Sequence, residues 1–169
     1  TFLTPDYALN SPWELLLYTL MGMLAALAAV GFSRLLYFSE DIWGLIRIPE
    51  PTKPILGGIM LGVLGILSFQ ADGFPRVFGV GYNTIESSLF SQLTLQMTFG
   101  LLLLKLLATT LTLGSGGSGG IFAPSLFMGA MLGGTFGHIA HSMFPETVAP
   151  SGAYALVGMA AFFGGVAHA

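Results

Sequence analysis

Leu106-Leu-Ala-Thr-Thr-Leu-Thr-Leu-Gly-Ser-Gly-Gly-Ser-Gly-Gly-Ile-Phe-Ala-Pro-Ser-Leu-Phe-Met-Gly-Ala130 decides how this chain is read. It opens a run of 40 residues, Leu106–Pro145, without one Asp, Glu, Lys or Arg. Two apolar stretches flank a core of glycine and serine, Gly114–Gly120. In water such a tract is a flexible linker, natural or engineered. Between two helices at membrane depth, non-helical backbone is tolerated only where it is buried in protein or lines a polar cavity. The flanks fit that second case. One helix ends at the tract and another starts beyond it, with Pro124 in a first turn where a missing N–H costs nothing.

The rest of the chain repeats the pattern. Charges are few, 13 in 169 residues or 8%, against roughly 25% in ordinary soluble domains. Apolar residues make up 54% and the mean hydropathy is +0.82. Thirteen charges cannot clothe a soluble fold of this size. Disorder is excluded by the abundance of Leu, Ile, Val and Phe. A net charge of −3 without a basic cluster disfavours nucleic acid as a partner. With no cysteine, disulfides, iron–sulfur clusters and thiolate metal sites are out. The other uncharged runs are Leu15–Ser33, Pro54–Ala71, Ser87–Leu104 and Thr147–Ala169, of 19, 18, 18 and 23 residues. A helix crossing a hydrocarbon core of ~30 Å needs about 20 residues. No period-2 alternation suggests strands. The expected class is an all-α integral membrane protein, multi-pass, a multi-helix bundle with broken helices. A start at Thr1 without a signal-peptide pattern reads as an internal piece of a larger membrane protein.

The expected helices span 13–46, 55–69, 93–113, 122–144 and 153–169, with a short helix near 84–91. Thr1–Ser11 reads as loop. Ser11 is a candidate N-cap ahead of Pro12 and the first-turn acid Glu14. Trp13 and Trp43 stand where interface anchors would. The prolines of Pro49–Pro54 mark a turn. Gly58 and Gly62, four apart, predict a bare helix face for close packing. Gln70–Tyr82 reads as loop. Lys105 falls mid-helix. Such a lone membrane charge either snorkels or faces the bundle and binds a carbonyl, in a structural role or in an ion path.

A helix starting near Ile121 leaves its first N–H groups unpaired and carries a partial positive charge there. Glycines before it admit an ion close to the backbone. No acid lies between Glu86 and Glu146 to oppose an anion, and no Lys or Arg lies in the tract to trap one. A partial charge without a full cation binds an anion weakly enough to release it, as conduction requires. The tract is therefore a candidate anion site: Gly120, Ile121 and Phe122 bind, and Gly116, Gly117, Ser118, Gly119 and Pro124 shape it.

These residues resemble a known family. Gly114–Ala130 looks like the GxFxP region of the CLC chloride channels and transporters, and Gly120-Ile-Phe-Ala-Pro124 is that motif. Gly79-Val-Gly-Tyr-Asn-Thr-Ile85 resembles the segment before a preceding family helix, and Ala153–Ala161 resembles the helix that follows. The resemblance covers most of the chain and implies that residues 1–169 are one fragment of a CLC-type transmembrane domain, centred on its second half. It implies that Ile121 and Phe122 donate backbone N–H groups to a central chloride, and that the Phe122 side chain helps line the path. It also implies a homodimer in the full-length protein, a lipid bilayer of the bacterial inner-membrane type, and no cofactor. The family's GSGIP loop, its GxEGP loop with the gating glutamate, and its C-terminal tyrosine do not occur in the chain. The fragment alone should not make a complete pore. Passive channel and proton-coupled exchanger both stay open.

Two other readings compete. Gly116-Gly-Ser-Gly119 matches the GxSG of intramembrane rhomboid proteases, with Ser118 as nucleophile and His168 as base. A secondary transporter of another anion would also use broken helices, though a carboxylate or phosphate would recruit an arginine. His138, His141 and Glu146 fall short of a zinc site, which takes three or four well-placed ligands.

Overall fold

The computed structural model describes Pro5, Tyr7 and residues 11–72 and 76–168. Most of the expected Thr1–Ser11 loop, and Gly73–Pro75 of the next, lie outside these residues. Among the described residues there are six α-helices and no strand: α1 (Glu14–Leu45), α2 (Lys53–Asp72), α3 (Tyr82–Leu89), α4 (Leu95–Gly114), α5 (Phe122–Met143) and α6 (Ser151–Ala167). A single 3-10 turn, Glu50–Thr52, leads into α2.

Most boundaries follow local chemistry. The Thr94 hydroxyl caps α4 by accepting from the Met97 N–H at 3.3 Å. α1 continues unbroken through Arg34, Glu40 and Asp41 for 32 residues, roughly 48 Å at ~1.5 Å per residue. α1 and α4 are long and apolar enough to cross a hydrocarbon core, judged by length and composition.

Several expectations are corrected. The helix proper is entered at Trp13 rather than Ser11, but Ser11 caps the turn before it: its hydroxyl accepts from the Trp13 N–H at 3.4 Å and its carbonyl accepts from the Glu14 N–H at 3.0 Å. α2 begins at Lys53, because Pro54 sits in a first turn where no N–H is required, and it runs on to Asp72, past the expected end at Phe69. α6 begins at Ser151 rather than 153, directly after Pro150. Trp43 is buried, at 8% exposure, while Trp13 is open at 78%, so the two are not matched anchors. On α2 the packed glycines are not Gly58 and Gly62, which face open space in this chain. They are Gly57, against Ser115 and the Leu111 carbonyl, and Gly65, against the Phe78 ring.

α5 and α6 run antiparallel with their backbones nearly touching. Gly129 lies where a Cβ would stand 2.5 Å from the Gly158 carbonyl oxygen, and one on Gly137 would stand 2.7 Å from Ser151 Cα. A Cβ on Gly133 would overlap the Tyr154 carbonyl. Small residues let helices approach in this way and compensate for the weak hydrophobic drive inside a bilayer. α1 lies parallel to α6, with Ala29 against Gly165 and Phe32 tilted on Phe162 at 6.2 Å. α4 lies against the opposite side of α5, where Thr135 donates to the Thr98 hydroxyl at 3.1 Å.

At the end of the bundle where α1 and α6 begin, Glu14 is buried at 1% exposure. Its carboxylate accepts from the Ala149 N–H at 2.7 Å and from the Tyr18 and Tyr154 hydroxyls at 3.2 and 3.3 Å. It ties the start of α1 to the approach to α6, beyond the dipole role expected of a first-turn acid. Gly133→Ala should lower the thermal midpoint of the detergent-solubilised protein sharply, because overpacking costs about 1–3 kcal/mol. Gly164→Ala, with nothing within 4 Å, should leave it unchanged. Equal midpoints for the two variants would contradict the α5–α6 contact.

Candidate functional site

The tract begins as a helix terminator. Gly116 takes φ +82°, left-handed backbone that strains any residue with a Cβ. With Gly116 in that state, its N–H donates to the Leu113 carbonyl at 2.9 Å and the Gly117 N–H donates to the Thr112 carbonyl at 2.9 Å. Two of the carbonyls left over at the end of α4 are thereby answered, in the pattern of a Schellman closure. A Cβ on Gly117 would stand 2.6 Å from the Thr112 carbonyl oxygen.

α5 then starts at Phe122, with Ile121 as its N-cap and no side-chain cap. The Ser125 N–H donates to the Ile121 carbonyl at 3.0 Å and closes the first turn. The Ser125 hydroxyl is turned to the Phe122 carbonyl at 2.7 Å, so it does not cap the N–H groups. Among the described residues no acceptor pairs with the backbone N–H of Gly120, Ile121, Phe122 or Ala123. Pro124 has none to pair. No acid occupies the first turn of α5. The result is a cluster of free donors with the positive end of a helix dipole behind them.

The tract residues divide between two sides. Ser118, Gly119, Gly120 and Pro124 line a cleft of about 330 Å³ whose far wall carries Lys105 and Thr109. The Ile121 and Phe122 side chains are not part of that lining. Both are substantially exposed, and the Phe122 ring meets Phe163 of α6 edge-on at 5.0 Å. Gly116 and Gly117 shape the turn and stay outside the cleft. A larger cleft of about 590 Å³, among Arg76, Tyr82 and Asn83, adjoins it across Phe78 and Val80, and no tract residue lines it.

Lys105 is buried. Its ammonium donates to the Val77 carbonyl at 2.9 Å and to the Gly79 carbonyl at 2.6 Å, and sits 5.0 Å from the centre of the Phe127 ring. The charge faces the bundle and is bound by backbone, one of the two arrangements the sequence allowed. Sequence reasoning did not find its carbonyl partners, since nothing in residues 77–79 marks them as acceptors for a side chain on a later helix.

The protease constellation is not assembled. Ser118 is exposed, the cleft it lines holds no histidine, and among the described residues no hydrogen bond joins it to His168, the C-cap of α6. His138 and His141 each face a backbone carbonyl instead of one another: Leu93 at 2.7 Å and Val148 at 3.2 Å.

An all-helical bundle with a glycine-broken helix pair fits a membrane-embedded domain, where such a break must be buried or line a cavity. Residues 2–169 match the family described as voltage gated chloride channel. A ClcB-like chloride channel protein of Ralstonia nicotianae, so named by likeness, is 32% identical over 165 residues, covering 98% of this chain and 37% of that protein. The chain belongs to the voltage gated chloride channel family, whose members are embedded in membranes. It spans a little over a third of the length of that curated relative.

Tract geometry gives two neighbouring glycines different weights in folding. Gly117→Ala should lower the thermal midpoint, because the new methyl meets the Thr112 carbonyl. Gly120→Ala has open space in this chain, so its midpoint should stay at the wild-type value. Equal midpoints for the two variants would contradict the tract geometry.

Proposed function

We propose that the protein containing this chain carries chloride across a membrane, with the anion held at the start of α5 by the backbone N–H groups of Ile121 and Phe122. The observation that carries this reading is the set of unanswered N–H donors at an uncapped helix start, reached through glycines, with no acid in the first turn or lining the adjacent cleft. Family membership supports it, as does the relative's name. The lone cation lining the adjacent cleft, Lys105, is committed to backbone carbonyls, and no arginine lines that cleft. A monovalent halide suits this arrangement better than a carboxylate or phosphate, which favours bidentate arginine. Chloride sheds water on entry, is held by dipoles, and leaves because no full charge traps it.

The wider picture is part of the same proposal. The protein crosses the bilayer several times, lies in a bacterial inner membrane, and works as a homodimer. The exposed Gly120–Phe122 edge fits a pathway completed by parts of the protein beyond this chain.

Reconstitution of the full-length protein in liposomes tests the reading. Chloride efflux is the expected result, and no movement of any halide would overturn it. The reversal potential under a pH gradient then assigns the mechanism. A potential that follows the proton gradient means an exchanger, and a pure chloride potential means a channel. Phe122→Ala should change halide preference or rate while sparing assembly, and wild-type competition and turnover in that variant would contradict the site. Pro124→Ala should matter less, because the N–H it adds joins donors that are already free.

A further inference from the structure

Lys105 is the one fully charged side chain buried against the cleft that the tract lines. Among the described residues no carboxylate pairs with it. A buried ammonium without a counter-ion is costly, and this one is stabilised only by two carbonyl oxygens and the face of Phe127. A neutral side chain packed at this place would avoid that penalty.

Its location gives the charge a use. Phe127 stands five residues after Phe122 on α5, roughly 7–8 Å along the helix axis. The ammonium beside its ring is therefore on the order of 10 Å from the α5 N-terminus. The Val77 and Gly79 backbone that Lys105 binds also lines the cleft. Left unbound, those carbonyls would present negative dipole ends toward the route an anion takes past Gly119 and Gly120.

Resting on the reading of α5 as the anion site, we propose that Lys105 is a positioning residue for the transported anion. Its ammonium neutralises the Val77 and Gly79 carbonyls and holds a positive potential beneath the tract without touching the ion. Committing the charge to backbone keeps it from trapping the anion, while its field still raises anion occupancy. A unit charge roughly 10 Å away, at an effective dielectric of about 20, changes binding on the order of tenfold.

The test uses the full-length protein in liposomes, with chloride flux measured against chloride concentration. Lys105→Gln removes the charge and keeps an N–H donor for the carbonyls. Lys105→Met removes both, and Lys105→Arg keeps the charge. The proposal expects the half-saturating chloride concentration to rise roughly tenfold in Lys105→Gln. Maximal flux, oligomeric state and thermal midpoint should stay near wild type. Lys105→Met should show at least the same shift, and Lys105→Arg should stay close to wild type. If Lys105→Met does not fold, Lys105→Gln alone decides. A fall in stability or maximal flux with half-saturation unmoved would make Lys105 a structural strut and overturn the proposal. Absence of saturable halide flux in the wild type would instead overturn the anion-site reading on which it rests.

Discussion

A helix that begins inside an apolar environment must leave its first N–H groups unanswered or find something to answer them, and α5 begins with none of the usual answers. It has no Ser, Thr, Asp or Asn at its N-cap and no first-turn acid, and its first hydroxyl is turned to a carbonyl. The other features of the domain hold that helix start where it is. The Schellman closure at Gly116 and Gly117 stops α4 cleanly, so the chain turns without leaving α4's own carbonyls to compete for the donors of α5. The glycine contacts with α6 fix the body of α5. The N-terminus is thus presented by a rigid element rather than by a loop.

The two buried charges among the described residues follow one rule. Neither forms an ion pair with the other: Lys105 is satisfied by backbone carbonyls, and Glu14 accepts from one backbone N–H and two tyrosine hydroxyls. Glu14 accepts from Ala149 at the end where α6 starts, and Lys105 donates to Val77 and Gly79 near the tract. A carboxylate set among donors and an ammonium set among acceptors each fasten a non-helical segment to a helix. The sorting by sign also serves the proposed function. The acid belongs to the opposite end of α5 from the tract, and the cation lies on the tract side. Of these two buried charges, an anion near Gly120 therefore has the favourable one on its own side and the unfavourable one at the far end.

How much of this was legible follows from the range of the forces involved. The fold class, the order of helices and the start of α5 at Phe122 were readable because hydropathy and the glycine tract act locally. The boundary at Pro54 was misplaced because proline was read as a stop where it serves equally well in a first turn. The glycines on α2 were assigned to the wrong face, since spacing shows that a face exists and not which neighbour it meets. Glu14 was read as a helix-dipole acid because its partners, Tyr154 and Ala149, are distant in sequence; only the Glu14–Tyr18 spacing hinted at more. The Lys105 carbonyl bonds had no signal at all, because backbone acceptors are sequence-blind.

The central claim concerns backbone N–H groups, which no side-chain substitution removes cleanly. The most direct measurement replaces the residue at 122 with its α-hydroxy acid in the full-length protein. The amide becomes an ester, so the Phe122 side chain is kept and one N–H is lost. The account predicts that chloride affinity, measured by calorimetry, falls roughly tenfold or more, since a hydrogen bond to a charged group is worth about 1.5–3 kcal/mol, while the thermal midpoint without chloride stays put. Unchanged chloride affinity in the ester protein would contradict it.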